Sequence, residues 1–253
     1  MSKAPKPNTT DKERKKEKRG KTTMLNTIDK RKAYYIVLDT EACNTNVDDM
    51  KSSLVYDLGY AIIDKKGNVY KTRNLVIRDI YKDEEELMKT AYYADKLPQY
   101  EEELLNGVRT MTTLASARKL LKSDCEEYNV KAIIAHNAGF DCRALNTTLR
   151  YLTGSKVRYF YPYGMALWDS LKMANDTICK QKTYKKFCLA NGYMTNHKTP
   201  RVKATAEVLY RYITGDNAFI EKHTGLEDVM IEKEIFVKCL AQHKKMRKEL
   251  FKA

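Results

Sequence analysis

The sequence predicts an α/β fold: a mixed sheet that opens with three sequential antiparallel strands, continues with parallel strands from βα units, and is flanked by helices. Three observations predict it. Runs rich in β-branched and aromatic residues recur at AYYIVLD, LVYDLGYAIID and VYKTRNLVI. The short apolar run KAIIAH leads straight into GFDCRALNTTLRYL, which repeats its apolar residues at helical steps. Several further segments with helical patterning follow, without an internal repeat.

Taken in order, Met1 to Lys32 hold 12 Lys or Arg and 4 Asp or Glu, which gives +8 of the chain's formal +14. So charged a segment, poor in core-forming residues, is expected to be a disordered arm, either solubilising or tethering to nucleic acid. The composition changes at Ala33, so the folded domain is expected over 33–253. AYYIVLD ends at Asp39, and the next two strands are separated by Lys65-Lys66-Gly67-Asn68, a turn that implies a meander. A helical region broken near Pro98 follows, with Leu114, Ala117, Leu120 and Leu121 at helical steps. KAIIAH is apolar enough for a central strand. WDSLKMA, TYKKFCLANG, TAEVLYRYI and the segment from Thr224 to about Lys245 are predicted helices.

A chain of 253 residues can bury a full core as one catalytic domain. The excess of 47 Lys plus Arg over 33 Asp plus Glu points to a polyanionic partner, nucleic acid before anionic lipid. No run approaches the roughly 18 apolar residues of a membrane span, and no apolar signal segment follows the N-terminal lysines. The protein is therefore expected in the cytoplasm. Its six cysteines form no C-x-x-C pair or zinc spacing and are expected as reduced thiols.

The carboxylates carry the chemistry. Asp39 and Glu41 stand two residues apart on a strand, so both side chains share one face of the sheet. Surface decoration is the alternative, against which the preceding apolar run argues. Asp141 falls in the first turn of the helix after KAIIAH, at the carboxyl end of a strand and on a helix face shared with Leu145 and Leu152. A helix-start aspartate favoured by the dipole, worth under about 1 kcal/mol, is the plainer reading of that position. In HTGLEDVMIEKEI, Thr224 and Glu227 fit a capping box directly after His223, which places Asp228 one turn into a largely buried helix, aligned with Ile231 and Ile235. Four semi-buried carboxylates repel one another unless cations neutralise them, and Mg²⁺ or Mn²⁺ suits such hard oxygen donors.

LDTE, AHNAGFD and HTGLED, in that order, resemble the three exonuclease motifs of the DEDDh family within the RNase H-like superfamily. The resemblance runs from Ala33 to about Lys245, and the H-x-x-x-x-D spacing from His223 to Asp228 is its most specific part. It implies a 3′–5′ exonuclease with two metal ions, in which Asp39 bridges both, Glu41 and Asp228 complete one site and Asp141 anchors the other. His223 would then deprotonate the attacking water, a task suited to a pKa near 6.5. Asn137 and Phe140 match the second motif as structural residues; Asp57 and Asp169 fall at supporting positions, Asp169 with a helix-start role. Ala42-Cys43-Asn44 departs from the Thr or Ser followed by Gly of many members. TAEVLYRYI, its spacing to HTGLED and the Lys-, Asn- and Tyr-rich composition resemble stand-alone exonucleases of bacteriophages and low-GC bacteria; a phage enzyme would work in the host cytoplasm.

The expected substrate is the 3′ end of single-stranded or frayed DNA, with release of nucleoside 5′-monophosphates and a replication polymerase as a partner. RNA is the alternative substrate, and an inactive nucleic-acid-binding protein the alternative class. Transposase-like and RNase H enzymes also gather carboxylates on this fold, but the D-x-E pair with His223 favours an exonuclease. Most of the 18 tyrosines are expected in packing, with at most one or two against the terminal base.

Overall fold

The computed structural model describes residues 28–43, 53–89, 91 and 94–251. The chain divides into two compact units, residues 1–30 and residues 31–253, and the second holds every element below. Most of the expected basic arm, and the pair Tyr92-Tyr93, lie outside the described residues.

Strands β1 (Tyr34–Cys43), β2 (Leu54–Asp64) and β3 (Val69–Ile77) form the meander. Asp64 shapes its second turn by accepting the backbone N–H groups of Lys66 at 2.8 Å and Asn68 at 3.2 Å, while Gly67 takes φ +84°. β5 (Val130–Ala135) runs parallel to β1 in the interior of the sheet. Two strands of three residues, β4 (Thr110–Thr112) and β6 (Leu167–Asp169), complete the order β4-β3-β2-β1-β5-β6.

β6 corrects the expectation that WDSLKMA is wholly helical. Trp168 and Asp169 finish a strand, and the helix starts at Ser170 with the Asp169 carboxylate accepting the Leu171 N–H at 3.0 Å.

The helices are α1 (Arg78–Tyr81), α2 (Glu85–Met88), α3 (Leu97–Leu105), α4 (Leu114–Glu127), α5 (Gly139–Thr153), α6 (Ser170–Asp176), α7 (Lys182–Ala190), α8 (Ala206–Thr214) and α9 (Gly225–Leu240). Pro98 lies in the first turn of α3, where its missing N–H costs nothing, so it opens a helix. α9 stops at Leu240, short of the expected Lys245. His243 takes φ +50° and the chain turns back along β6, where Asp169 donates its N–H to Lys248 at 2.7 Å and Leu250 donates to Leu167 at 2.8 Å. That return covers a sheet edge otherwise open to pairing. Among the described residues no helix is long and apolar enough to cross a membrane.

The two sheet faces have different partners. Val37, Ala61 and Ile134 point into a core made with Met173 of α6 and Val229, Ile235 and Phe236 of α9. α5 lies against the other face, where the Val55 N–H donates to its Thr148 hydroxyl at 2.9 Å. On α5, Leu145 is buried as expected, whereas Leu152 is 37% exposed and outside the core. All six cysteines are buried thiols.

Candidate active site

Strand periodicity sets the first pair. Asp39 and Glu41 follow Val37 on the face that α9 covers, and their cross-strand partners on β2 are Gly59 and Asp57. Gly59 lets the helix in. A Cβ at Gly59 would stand 2.3 Å from the Gly225 carbonyl carbon and the Leu226 nitrogen, and one at Gly225 would stand 2.8 Å from the Gly59 nitrogen. With neither side chain present, the start of α9 lies directly on β2 beside Asp39. Asp228 in the first turn of α9 then meets the strand pair, with one carboxylate oxygen from each of Asp39, Glu41 and Asp228 lying within 4.8 Å of the others.

Two more carboxylates join them. Glu232, one turn beyond Asp228, is 3% exposed and accepts the His136 backbone N–H. Asp141, in the first turn of α5, is buried, and the Thr40 hydroxyl donates to it at 2.9 Å. It is close enough to raise the pKa of Asp39, Glu41 and Glu232, but it does not line the cleft. That cleft, about 560 Å³, is walled by Asp39, Glu41, His136, His223, Asp228 and Glu232.

Among the described residues, no Lys or Arg forms an ion pair with Asp39, Glu41, Asp141, Asp228 or Glu232. Burial, followed by mutual repulsion, therefore holds the Asp39, Glu41 and Glu232 carboxyls well above the usual range. Asp228 is pushed up to about 8 by burial and by Glu221 and Glu227. Asp141 rises to about 7 through burial, which the Thr40 hydrogen bond opposes. Asp228 Oδ1 and Glu232 Oε2 are buried without a hydrogen-bond partner. Hard oxygen donors, two of them orphaned, with no Lys or Arg partner among the described residues, fit a divalent ion such as Mg²⁺ or Mn²⁺.

His223 stands at the rim, half-buried, with φ +53° in the residue before the N-cap Thr224. A ring nitrogen of His223 and carboxylate oxygens of Asp228 and Glu221 lie within 4.8 Å of one another. Burial and then Lys96 lower its pKa, so the imidazole is neutral at neutral pH. Glu221, which takes part in no motif, rises to about 7 through burial and its neighbour Glu207. The capping box is only partly realised. The Thr224 hydroxyl donates to the Glu227 carboxylate at 2.6 Å, while Asp57 on β2 takes the Gly225 N–H at 3.0 Å.

Asp57 is wholly buried but, unlike the cleft carboxylates, is neutralised: Arg109 donates to it at 2.8 Å and Tyr100 adds its hydroxyl. Asn137, at φ +65°, turns the chain from β5 into α5 and donates its N–H to Asp169 at 3.2 Å, so Asp169 ties this loop as well as capping α6. Phe140 lines the cleft, and among the described residues no tyrosine does. Sequence reasoning brought Asp39, Glu41, Asp141, His223 and Asp228 to this neighbourhood and missed Glu221, Glu232 and Gly59. The step of four from Asp228 to Glu232 was the available signal.

No profile of a known protein family and no curated protein sequence matches the chain. Solved structures do. A full-length 3′-exonuclease aligns over 86% of this chain and 85% of its own, with 13% identity and a TM-score of 0.57. A 3′-exonuclease caught in 3′-end-specific recognition of a histone mRNA stem-loop aligns over 96% and 76%, with 13% identity and a TM-score of 0.56. The fold is RNase H-like. The nuclease domain of 3′hExo, a DEDDh family member bound to rAMP, agrees over 87% of this chain and 98% of its own, at 13% identity and a TM-score of 0.56. Such identities establish architecture alone. In this RNase H-like fold Asp39, Glu41 and the turn after β5 share the carboxyl end of the parallel strand pair, where open α/β sheets place their ligands.

Proposed function

We propose that the chain is a metal-dependent 3′–5′ exonuclease that hydrolyses phosphodiester bonds at the 3′ end of single-stranded or frayed DNA and releases nucleoside 5′-monophosphates. The observation that carries this reading is a cleft of buried carboxylates with no Lys or Arg partner among the described residues, with a neutral histidine at its rim. Asp39, Glu41, Asp141 and Asp228 are the residues that would hold the metal. Divalent ions held there would stabilise both the attacking and the leaving oxygen. His223 takes the proton of the attacking water, for which its lowered pKa leaves it unprotonated at working pH. Phe140 and Leu171 on the cleft wall offer an apolar surface to the terminal nucleotide.

RNA is the second reading. It is favoured by the neighbours whose structures are described with a histone mRNA stem-loop and with rAMP.

Strands of DNA and RNA labelled at either end test both readings. In Mg²⁺ or Mn²⁺ a 3′ label is released at once as mononucleotide and a 5′ label gives a shrinking ladder, and chelator stops both. Undiminished hydrolysis in chelator, or release from the 5′ end first, overturns the proposal.

A further inference from the structure

Beyond the cleft, residues 177–206 carry seven Lys or Arg and no Asp or Glu. All seven are exposed, and only Lys180 has an acidic partner among the described residues, Asp176 at 3.2 Å. They are not spread evenly. Lys182, Lys185 and Lys186 share one face of α7 with Leu189, which is 66% exposed. Lys180, Lys185, His197 and Arg201 converge on a pocket of about 580 Å³ whose other walls include Leu189 and Met194.

The pocket is built and tied to the cleft. Met194 and Val202 form a β-bridge, and Thr195 and Arg201 bond each other through the Thr195 N–H at 2.8 Å and the Arg201 N–H at 3.0 Å. The Tyr184 hydroxyl on α7 donates to the Lys203 carbonyl at 2.6 Å. The next residue, Ala204, lines the cleft, and its carbonyl bonds the His136 ring at 2.8 Å. Three residues of chain span at most about 11 Å, so Arg201 lies within that distance of the cleft wall along the backbone. At roughly 3.4 Å per stacked nucleotide this is about three nucleotides. Glu221 also lines the cleft, and its N–H donates to the Glu207 carboxylate at 3.1 Å.

Resting on the exonuclease reading, we propose that this pocket grips the phosphodiester backbone of the substrate strand a few nucleotides from its 3′ end. The cations contact phosphates, Leu189 and Met194 receive a base, and the strand leaves the cleft on this side.

The test is binding of a fluorescein-labelled 12-nucleotide single strand to the full chain in chelator, titrated across salt. The variants are Lys185→Ser/Arg201→Ser and, as a control of equal charge change, Lys65→Ser/Lys66→Ser in the exposed β2–β3 turn. Loss of two phosphate contacts, each contributing about 0.7 to the salt slope, flattens it by about 1.4 and weakens binding about 25-fold at 0.1 M relative to 1 M salt. The control keeps the wild-type slope. Equal slopes in the two variants overturn the pocket, as does oligonucleotide binding that stays intact while binding to phosphatidylserine vesicles is lost. A wild-type chain that binds the strand with the predicted slopes but cleaves nothing in Mg²⁺ or Mn²⁺ upholds the pocket and overturns the exonuclease reading instead.

Discussion

Asp57 and Asp39 are carboxylates on neighbouring strands and the same face of the sheet, yet the fold treats them in opposite ways. Asp57 receives a guanidinium, a phenol and a backbone amide from three different segments. Asp39 receives no Lys or Arg among the described residues and sits against Glu232, Asp141, Glu41 and Asp228. A chain that can place Arg109 at 2.8 Å from one buried carboxylate is able to neutralise the others. Leaving them unbalanced destabilises the fold, and such a cost is retained where an external cation completes the site. The contrast separates an internal ion pair that holds the fold from a charge cluster left without a Lys or Arg partner among the described residues.

Paired variants break the comparison most sharply. Asp39→Asn is expected to abolish detectable digestion while raising the melting temperature of the chelated chain, because one of several repelling charges is gone. Asp57→Asn is expected to remove one of the two acidic partners of Arg109, leaving Glu103, and to lower stability by about 1 to 3 kcal/mol. Denaturation and end-label digestion of both variants check this, and a chelated Asp39→Asn chain less stable than wild type contradicts it. His223→Ala comes next, with a loss of roughly 10² to 10⁴-fold in rate and metal binding intact by calorimetry. The wild-type rate should fall on the acid side of the ordinary histidine pKa of about 6.5, since burial and Lys96 lower that of His223, and the variant should lack this limb.

Glu232→Gln sharpens the boundary of the cluster. It keeps the shape and removes the orphaned charge, and should weaken Mn²⁺ binding roughly 10- to 100-fold, read by calorimetry without nucleic acid. Unchanged affinity would make Glu232 a bystander. The smallest effect is thermal. Raised carboxyl pKa values mean that protonation stabilises the metal-free fold: the contribution is complete below the unfolded values near 4 and lost as pH climbs through about 7 for Asp141 and about 8 for Asp228. Melting temperature in chelator should therefore fall from about pH 5 to about pH 8, and Mg²⁺ should restore most at the upper end. A flat profile in chelator would remove the argument for unbalanced charge.

What could be read from the residues follows from how local each signal is. β1, β2 and β3 were legible because long runs of β-branched and aromatic residues with a Gly-Asn turn have few alternatives. β4 and β6 hold three residues each, too few for any periodicity, and exist because neighbouring strands pair with them. Lys245 belonged to an apparent helix because the His243 turn at φ +50° is set by the return along β6. In the site, Asp39, Glu41, Asp141, His223 and Asp228 were legible through spacing and resemblance. Glu232 was not singled out in GLEDVMIEKEI, although it stands four residues after Asp228 on the same helix face. Glu221 belongs to a loop, whose path no pattern encodes. Asp57 drew notice for its charge, but its tie to Arg109 and to the start of α9 joins residues far apart in sequence, beyond any local signal.

The bare contact between Gly59 and Gly225 has a consequence for how this chain can change. It joins two points that bracket most of the fold, through backbone alone, and so fixes where Asp228 stands relative to Asp39 without reference to anything between them. Loops, α7, the hairpin around Met194 and Val202, and even whole inserted segments can be lengthened, recharged or exchanged while the two glycines keep the carboxylates in place. Variation in the exposed charge of residues 177–206 is thereby uncoupled from the spacing of the carboxylates, so the surface beside the cleft can be rewritten while the acidic cluster stays constant.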